Sequence, residues 1–249
     1  MTTMQLLYAP TSPFVRKVMV VAHLTGQADQ IEWLPSAAHP IRRDDRIAAH
    51  NPLAKVPTLI LKDGQALYDS RVICEYLASR AGDTQLFPAT GAARWQALTQ
   101  QALGDGLLDA ALLARYERTA RPADMQWTDW YDAQLVKVEA GLAEIGDQAA
   151  ALFQASVDTL SAPALNAPTS NAPTSNAPTS NSPASNSLTS NSLTSNTPTI
   201  GDVTLGCALG YLDFRFPELD WAARYPGTAR WHAVFRTLPA MQATLPHDA

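Results

Sequence analysis

Two cysteines, Cys74 and Cys207, are all that the 249 residues hold, and they stand far apart in apolar, helix-like surroundings. With neither a Cys-x-x-Cys pair nor a ligand-like cluster, no disulfide scaffold and no zinc site is expected. Charge is scarce as well: 16% of residues are charged and the formal net charge is −5. That balance argues against a nucleic-acid partner, because no basic run is available to neutralise phosphates. The densest basic stretch, Arg42 to Arg46, is broken by Asp44 and Asp45. No apolar run is longer than Val18 to Ala22, far short of a bilayer span. The first residues lack a basic region followed by an apolar core and a small-residue cleavage site, so the expected compartment is the cytoplasm and no membrane partner is foreseen. What remains is a chain with 46% hydrophobic residues, enough for a sizeable core in one large domain or two modest ones.

The first third reads as alternating short elements. Gln5 to Tyr8 suits a buried strand; Pro13 opens a helix that runs to about Thr25, with Gly26 past its end. Ile31 to Leu34 suits a second strand, and Arg42 to His50 a short helix. Thr58 to Leu61 and Ala66 to Tyr68 flank Asp63-Gly64, a strong hairpin signal. Ser70 then stands as the cap of a helix through about Ser79, with Val72, Ile73, Tyr76 and Leu77 at core spacing. From Leu86-Phe87-Pro88 onward the periodicity is helical only, with one long helix over Trp95 to Leu113 and another over Trp127 to Ile145.

Beyond Leu160 the composition changes. Asn recurs at every fifth position from Asn166 to Asn196 in units such as NAPTS, NSPAS and NSLTS, and no charged residue lies between Asp158 and Asp202. Few large apolar groups and several prolines leave little to offset the entropy of ordering, so residues 161–197 read as a flexible insert. A β-solenoid of five-residue coils is disfavoured, because its inward position would alternate between Leu and Pro, and Pro cannot donate to a ladder. Periodicity returns at Thr199-Ile200-Gly201-Asp202, a variant capping box with Pro198 and Val203 placed as a staple. The helix it opens carries Leu205, Leu209 and Leu212 with Gly206, Ala208 and Gly210 between them, a pattern that permits close helix approach.

Three places combine polar groups with exposed backbone. Ser12, between a strand end and a helix start, offers a hydroxyl near amides that favour an anion. Val56-Pro57, just before a strand, predicts a turn, with a cis bond as one option, that leaves the Val56 amide and carbonyl open to an extended peptide-like ligand. Asp69-Ser70, at a helix start, suits an amino-acid head group: hydroxyl and amide for the carboxylate, Asp for the ammonium. Taken singly, each is an ordinary cap or turn.

Together, in this order, they resemble the cytosolic glutathione S-transferase family. The segments TSPFVRKV, NPLAKVPTLILKDGQALYDSRVICEYL and TIGDVTLGCALGYLDF carry the resemblance, which covers most of the chain outside the insert. It implies an α/β thioredoxin-like N-terminal domain over residues 1–80, a linker at 81–88, and an all-α C-terminal domain over 89–249 that the insert interrupts. It further implies a homodimer and a serine-type site of the bacterial kind. Glutathione would be the co-substrate, with no other cofactor and no metal, and its thiolate would attack a small electrophile. Ser12 would activate the thiol, with Thr11 as second choice. Phe14 follows in the same motif, the Val56 backbone would hold the cysteinyl part, and Asp69 with Ser70 the γ-glutamyl end. Lys55, Arg42 and Arg43 are candidates for the glycine carboxylate. Tyr116 and Trp95 are candidates for the electrophile pocket, although core packing is the expected place of Trp95. The reactive cysteine of some classes is absent, and Ser12 in its place argues against thiol–disulfide exchange. The usual Gly of the Asn-Pro-x-Gly-Lys stretch is Ala54, a mild change. Two other readings share the fold: a binding or regulatory protein without turnover, and a glutathione-dependent isomerase.

Overall fold

The computed structural model describes residues 4–161 and 198–248, with side chains described to residue 146 and from 198. The repeats of the expected insert lie outside the described residues. Strand β1 (Met4–Tyr8) leads through a turn to helix α1 (Pro13–Leu24), and then to β2 (Ile31–Pro35) and a single-turn helix α2 (Asp45–Ala48). Next come β3 (Thr58–Ile60), β4 (Ala66–Leu67) and helix α3 (Ser70–Ala81). The sheet order is β2-β1-β3-β4. β2 runs parallel to β1, while β3 runs antiparallel to both β1 and β4. The remaining helices are α4 (Gly91–Thr119), α5 (Thr128–Ser161), α6 (Ile200–Arg215), α7 (Trp221–Arg224), α8 (Pro226–Phe235) and α9 (Pro239–Gln242).

Local chemistry sets the boundaries. Ser12 caps α1, its hydroxyl oxygen accepting from the Val15 amide at 3.3 Å, and Pro13 supplies the fixed φ of the first helical residue. Gly82 ends α3 at φ +67°, a conformation that costs an L side chain but not glycine. The capping box is present in full: the Thr199 hydroxyl accepts from the Asp202 amide, and the Asp202 carboxylate accepts from the Thr199 amide at 2.9 Å. The Ile200 amide also donates to the Leu86 carbonyl at 2.8 Å, so the segment after α3 is stitched to the start of α6.

Glycines let the central helices meet closely. A Cβ at Gly104 of α4 would collide with Thr204, one at Gly201 of α6 with Gln100 of α4, and one at Gly206 with the Phe235 ring of α8. Leu205, Leu209 and Leu212 are buried, as their spacing predicts, so α6 is the axis of the helical part.

Several expectations are corrected. Asp69, not Ser70, is the cap of α3: its carboxylate accepts from the Arg71 amide at 2.9 Å, and Ser70 becomes the first helical residue and is buried. The buried stripe of α3 runs through Ile73, Cys74, Leu77 and Ala78, so Val72, placed at core spacing in the sequence, is 48% exposed. Trp95 is likewise not in the core but 67% exposed near the start of α4. The helix expected over Arg42 to His50 is confined to Asp45–Ala48, because Asp44 caps it with bonds to the Arg46 and Ile47 amides.

Ala54 is the other correction. The loop before β3 is fixed by the buried Asn51, whose side-chain amide donates to the Lys55 carbonyl and the Thr58 hydroxyl, both at 3.1 Å, while its oxygen accepts from the Leu53 amide. This holds Ala54 at φ +51°, where an L side chain costs about 1–2 kcal/mol. Ala in place of Gly is therefore a strained choice and not a mild one. Ala54→Gly should stabilise the chain by about 0.5–1 kcal/mol after the greater freedom of unfolded glycine is counted; a denaturant midpoint that stays put or falls would contradict this.

Candidate active site

The sheet gathers the three polar places without help from distant elements. β1 points its C-terminal end toward Ser12, and β3 pairs antiparallel to it with Leu7 opposite Thr58, which sets Val56-Pro57 beside the β1–α1 turn. β4 pairs antiparallel to β3 with Leu59 opposite Leu67, so Asp69 and Ser70 emerge at the same end. Parallel β2 delivers residues 36–44 there too. Four connections thus meet at one edge, where α1 and α3 also begin and turn their first amides outward.

At this edge Ser12 and Thr11 are half-buried, and the Ser12 amide donates to the Ala9 carbonyl at 3.0 Å. The Ser12 oxygen uses one lone pair on the Val15 amide, and its O–H proton stays available to a ligand. Phe14 is half-buried against the core. The Val56–Pro57 bond is cis. Val56 lies just outside the β3 ladder, and among the described residues its amide and carbonyl take no partner. Ser70 is buried, and its hydroxyl takes no partner among the described residues. Asp69 is exposed, with one oxygen 3.3 Å from the Arg71 guanidinium. Lys55 is exposed on the loop before Val56. Arg42 and Arg43 line a shallow cleft of about 370 Å³ with Ala37, Ala38, His39 and Asp44. Three backbone amides, with that of Ile47 contributing most, hold the Asp44 carboxyl below its ordinary range.

The residues that the sequence pattern did not single out lie where α4 closes this edge. Lys17 of α1 is fully buried and donates to Asp105 of α4 at 2.5 Å. Arg71, at the start of α3, approaches the other Asp105 oxygen at 3.6 Å. Burial pushes the Asp105 carboxyl up, against the pull of the Lys17 ammonium. Asp109, one turn further along α4, is pushed up by burial and pulled down by Lys55 and Arg71. Lys17 had a signal in the sequence: it sits inside an otherwise apolar helical face. Tyr116 lies farther along α4, half-buried, its phenol held above its ordinary range by burial. Trp95, exposed near the opposite end of α4, does not join this group. The cysteines are equally remote from chemistry: burial pushes Cys74 up to about 12 and Cys207 to about 11, so neither supplies a thiolate at neutral pH. No group of metal-ligating side chains occurs among the described residues.

A thioredoxin-like sheet edge thus brings together the Ser12 hydroxyl, the Val56 amide and carbonyl and the acidic start of α3, and a helical layer packs beside it. Residues 11–80 match the family model of the glutathione S-transferase N-terminal domain, and residues 128–233 match that of the C-terminal domain. A glutathione transferase family member from Pseudomonas fluorescens Pf-5, solved with bound glutathione, is 34% identical, with a TM-score of 0.79 over 99% of this chain and 100% of that one. A structure from the same organism with bound S-(propanoic acid)-glutathione is 33% identical, with a TM-score of 0.76 over 98% and 100%. The uncharacterized GST-like protein YibF of Escherichia coli is 32% identical over 139 residues, which span 56% of this chain and 66% of that protein. The chain belongs to the glutathione S-transferase family. No helix among the described residues is long and apolar enough to cross a membrane.

The buried pair joins the sheet layer to the helical layer. Either Asp105→Asn or Lys17→Met should cost about 3–5 kcal/mol, because each strands a buried charge. The double replacement Lys17→Met with Asp105→Leu should cost clearly less than the sum, as read by chemical denaturation. Additive costs would mean that the two charges do not interact.

Proposed function

We propose that this chain is a serine-type glutathione transferase, which binds glutathione as the thiolate and conjugates it to a small electrophile. The observation that carries the reading is the meeting of Ser12, the unpartnered Val56 peptide unit and Asp69-Ser70 at one sheet edge. Glutathione is a peptide with a carboxylate at each end and an ammonium at one. The Val56 amide and carbonyl match its cysteinyl unit as a short added strand. The Ser70 hydroxyl and the first α3 amides match the γ-glutamyl carboxylate, with Asp69 for the ammonium. Arg42, Arg43 and Lys55 supply cations for the glycine carboxylate. The bound glutathione in the Pseudomonas fluorescens relative supports this assignment.

The energetics suffice without a general base. An ordinary thiol with a pKa of about 8.5 is only a few per cent ionised at pH 7. Lowering that value by two units needs about 2.7 kcal/mol. One hydrogen bond from the Ser12 hydroxyl to a charged sulfur contributes about 1.5–3 kcal/mol, and the start of α1 about 0.3–1 more. Thr11 and Phe14 complete the turn that presents Ser12, and Tyr116 faces the electrophile. We assign residues 1–80 to the glutathione-binding domain, 81–88 to the linker and 89–249 to the helical domain with its insert. Exposed Val72 and Trp95 support a homodimer, since apolar side chains on two adjoining helices fit a self-contact. Cytoplasmic residence goes with the same reading.

Ser12→Ala should raise the pKa of the bound thiol and lower kcat/KM by about 100-fold, the equivalent of about 2.7 kcal/mol. Thiolate absorbance across a pH series reads the first effect and a panel of electrophiles the second. An unchanged pKa would move the role to Thr11. Binding without turnover in the unmodified chain would favour the non-catalytic reading.

A further inference from the structure

The far ends of α4 and α6 carry a cluster that the assignment above does not use. Gln27, just beyond α1, donates to the Leu77 carbonyl and accepts from Arg80, so α1 and α3 end side by side. α6 begins near that end, through the Ile200 bond to Leu86, and reaches Arg16 in the second turn of α1 at Gly210. Its last turn therefore lies toward Ser12. α4 runs parallel to α6, with Ala97 and Gln100 beside Gly201 and Gly104 beside Thr204. Arg115 and Tyr116 thus flank Tyr211 and Arg215 at the end of the helical layer nearer Ser12.

Arg215 is nearly buried, its side chain 11% exposed, and its guanidinium lies 3.8 Å from the Phe214 ring centroid. Its Nε is buried without a hydrogen-bond partner. The two terminal nitrogens donate to the Asp248 carboxylate at 2.5 and 3.3 Å, the fork-on-carboxylate geometry that arginine favours. Asp248 itself is 71% exposed, on the segment beyond α9. Arg115 is a second cation in electrostatic reach of Asp248, Tyr116 and Tyr211. Burial pushes the Tyr211 phenol up to about 12, so its proton stays on as a donor. A nearly buried cation needs an anion, yet the one it holds is exposed and loses little on leaving.

We propose that Arg115 and Arg215, with the hydroxyls of Tyr116 and Tyr211, form a carboxylate subsite at the outer end of the electrophile pocket, which Asp248 occupies until an electrophile bearing a carboxylate displaces it. This rests on the transferase reading and narrows its substrate class. In the reaction, the glutathione sulfur forms a bond to the electrophilic carbon while a leaving group such as iodide departs with its bonding pair, and the thiol proton goes to solvent.

The test is calorimetric titration of the full chain with glutathione, S-(carboxymethyl)glutathione and S-(carbamidomethyl)glutathione. The two conjugates differ only in carboxylate against amide. The carboxymethyl conjugate should bind about tenfold more tightly. That ratio should fall toward one in Arg215→Gln and Arg115→Gln, and rise several-fold in Asp248→Asn, a change at an exposed position that leaves the fold intact. Turnover of iodoacetate against iodoacetamide, each corrected for its uncatalysed rate, should follow the same order. Equal binding of the two conjugates while glutathione binds would overturn the subsite alone. So would an Asp248→Asn variant that binds the carboxymethyl conjugate more weakly. Failure of the unmodified chain to bind glutathione would overturn the transferase reading and the subsite with it.

Discussion

The arrangement depends on one buried ion pair. Lys17 has no exposure at all and finds its anion, Asp105, on a different layer of the molecule. An ammonium taken out of water without a partner is too costly to keep, so α1 and α4 are held in the single register that brings the two together. Arg71 joins from α3, and the starts of both sheet-layer helices are thereby tied to the middle of α4. Since Ser12 opens α1 and Asp69 opens α3, the same contact fixes how that sheet edge faces the helical layer. Such a pair contributes little net stability over a well-packed apolar substitute. What it adds here is alignment.

Around that pair, the strand directions do the assembling. An antiparallel β3 between β1 and β4 sends three connections to one end, and the parallel β2 adds a fourth. The loop before β3 is shaped by Asn51 to the point that Ala54 accepts a left-handed conformation it would otherwise avoid. An amide and carbonyl at Val56 that take no partner among the described residues are groups a ligand can complete.

Much of this was legible in the chain. Strand and helix order followed from periodicity, caps and Asp63-Gly64, and the capping box at Thr199 was legible from residue identity alone. What escaped had physical reasons. Asp69 and Ser70 are both good caps, and only the backbone settles which one accepts from an amide. Val72 reads as core beside Ile73, but the buried stripe of α3 runs through Ile73, Cys74, Leu77 and Ala78 and leaves it outside. Trp95 reads as core by size, but its exposure depends on which face of α4 meets α6. Lys17 and Asp105 are 88 residues apart, and no local pattern announces a pair at that separation. The single-turn helices α7 and α9 have periodicity too brief to read, and Arg16 locks onto α9 through the Met241 carbonyl at 3.2 Å.

The role proposed for this edge is to hold glutathione with its sulfur ionised. Ultraviolet difference titration of the unmodified chain, saturated with glutathione over pH 5 to 9, measures that directly. A thiolate band whose midpoint lies about two pH units below that of free glutathione is the predicted result. Saturable binding with an unshifted midpoint, or no saturable binding at all, would contradict the account.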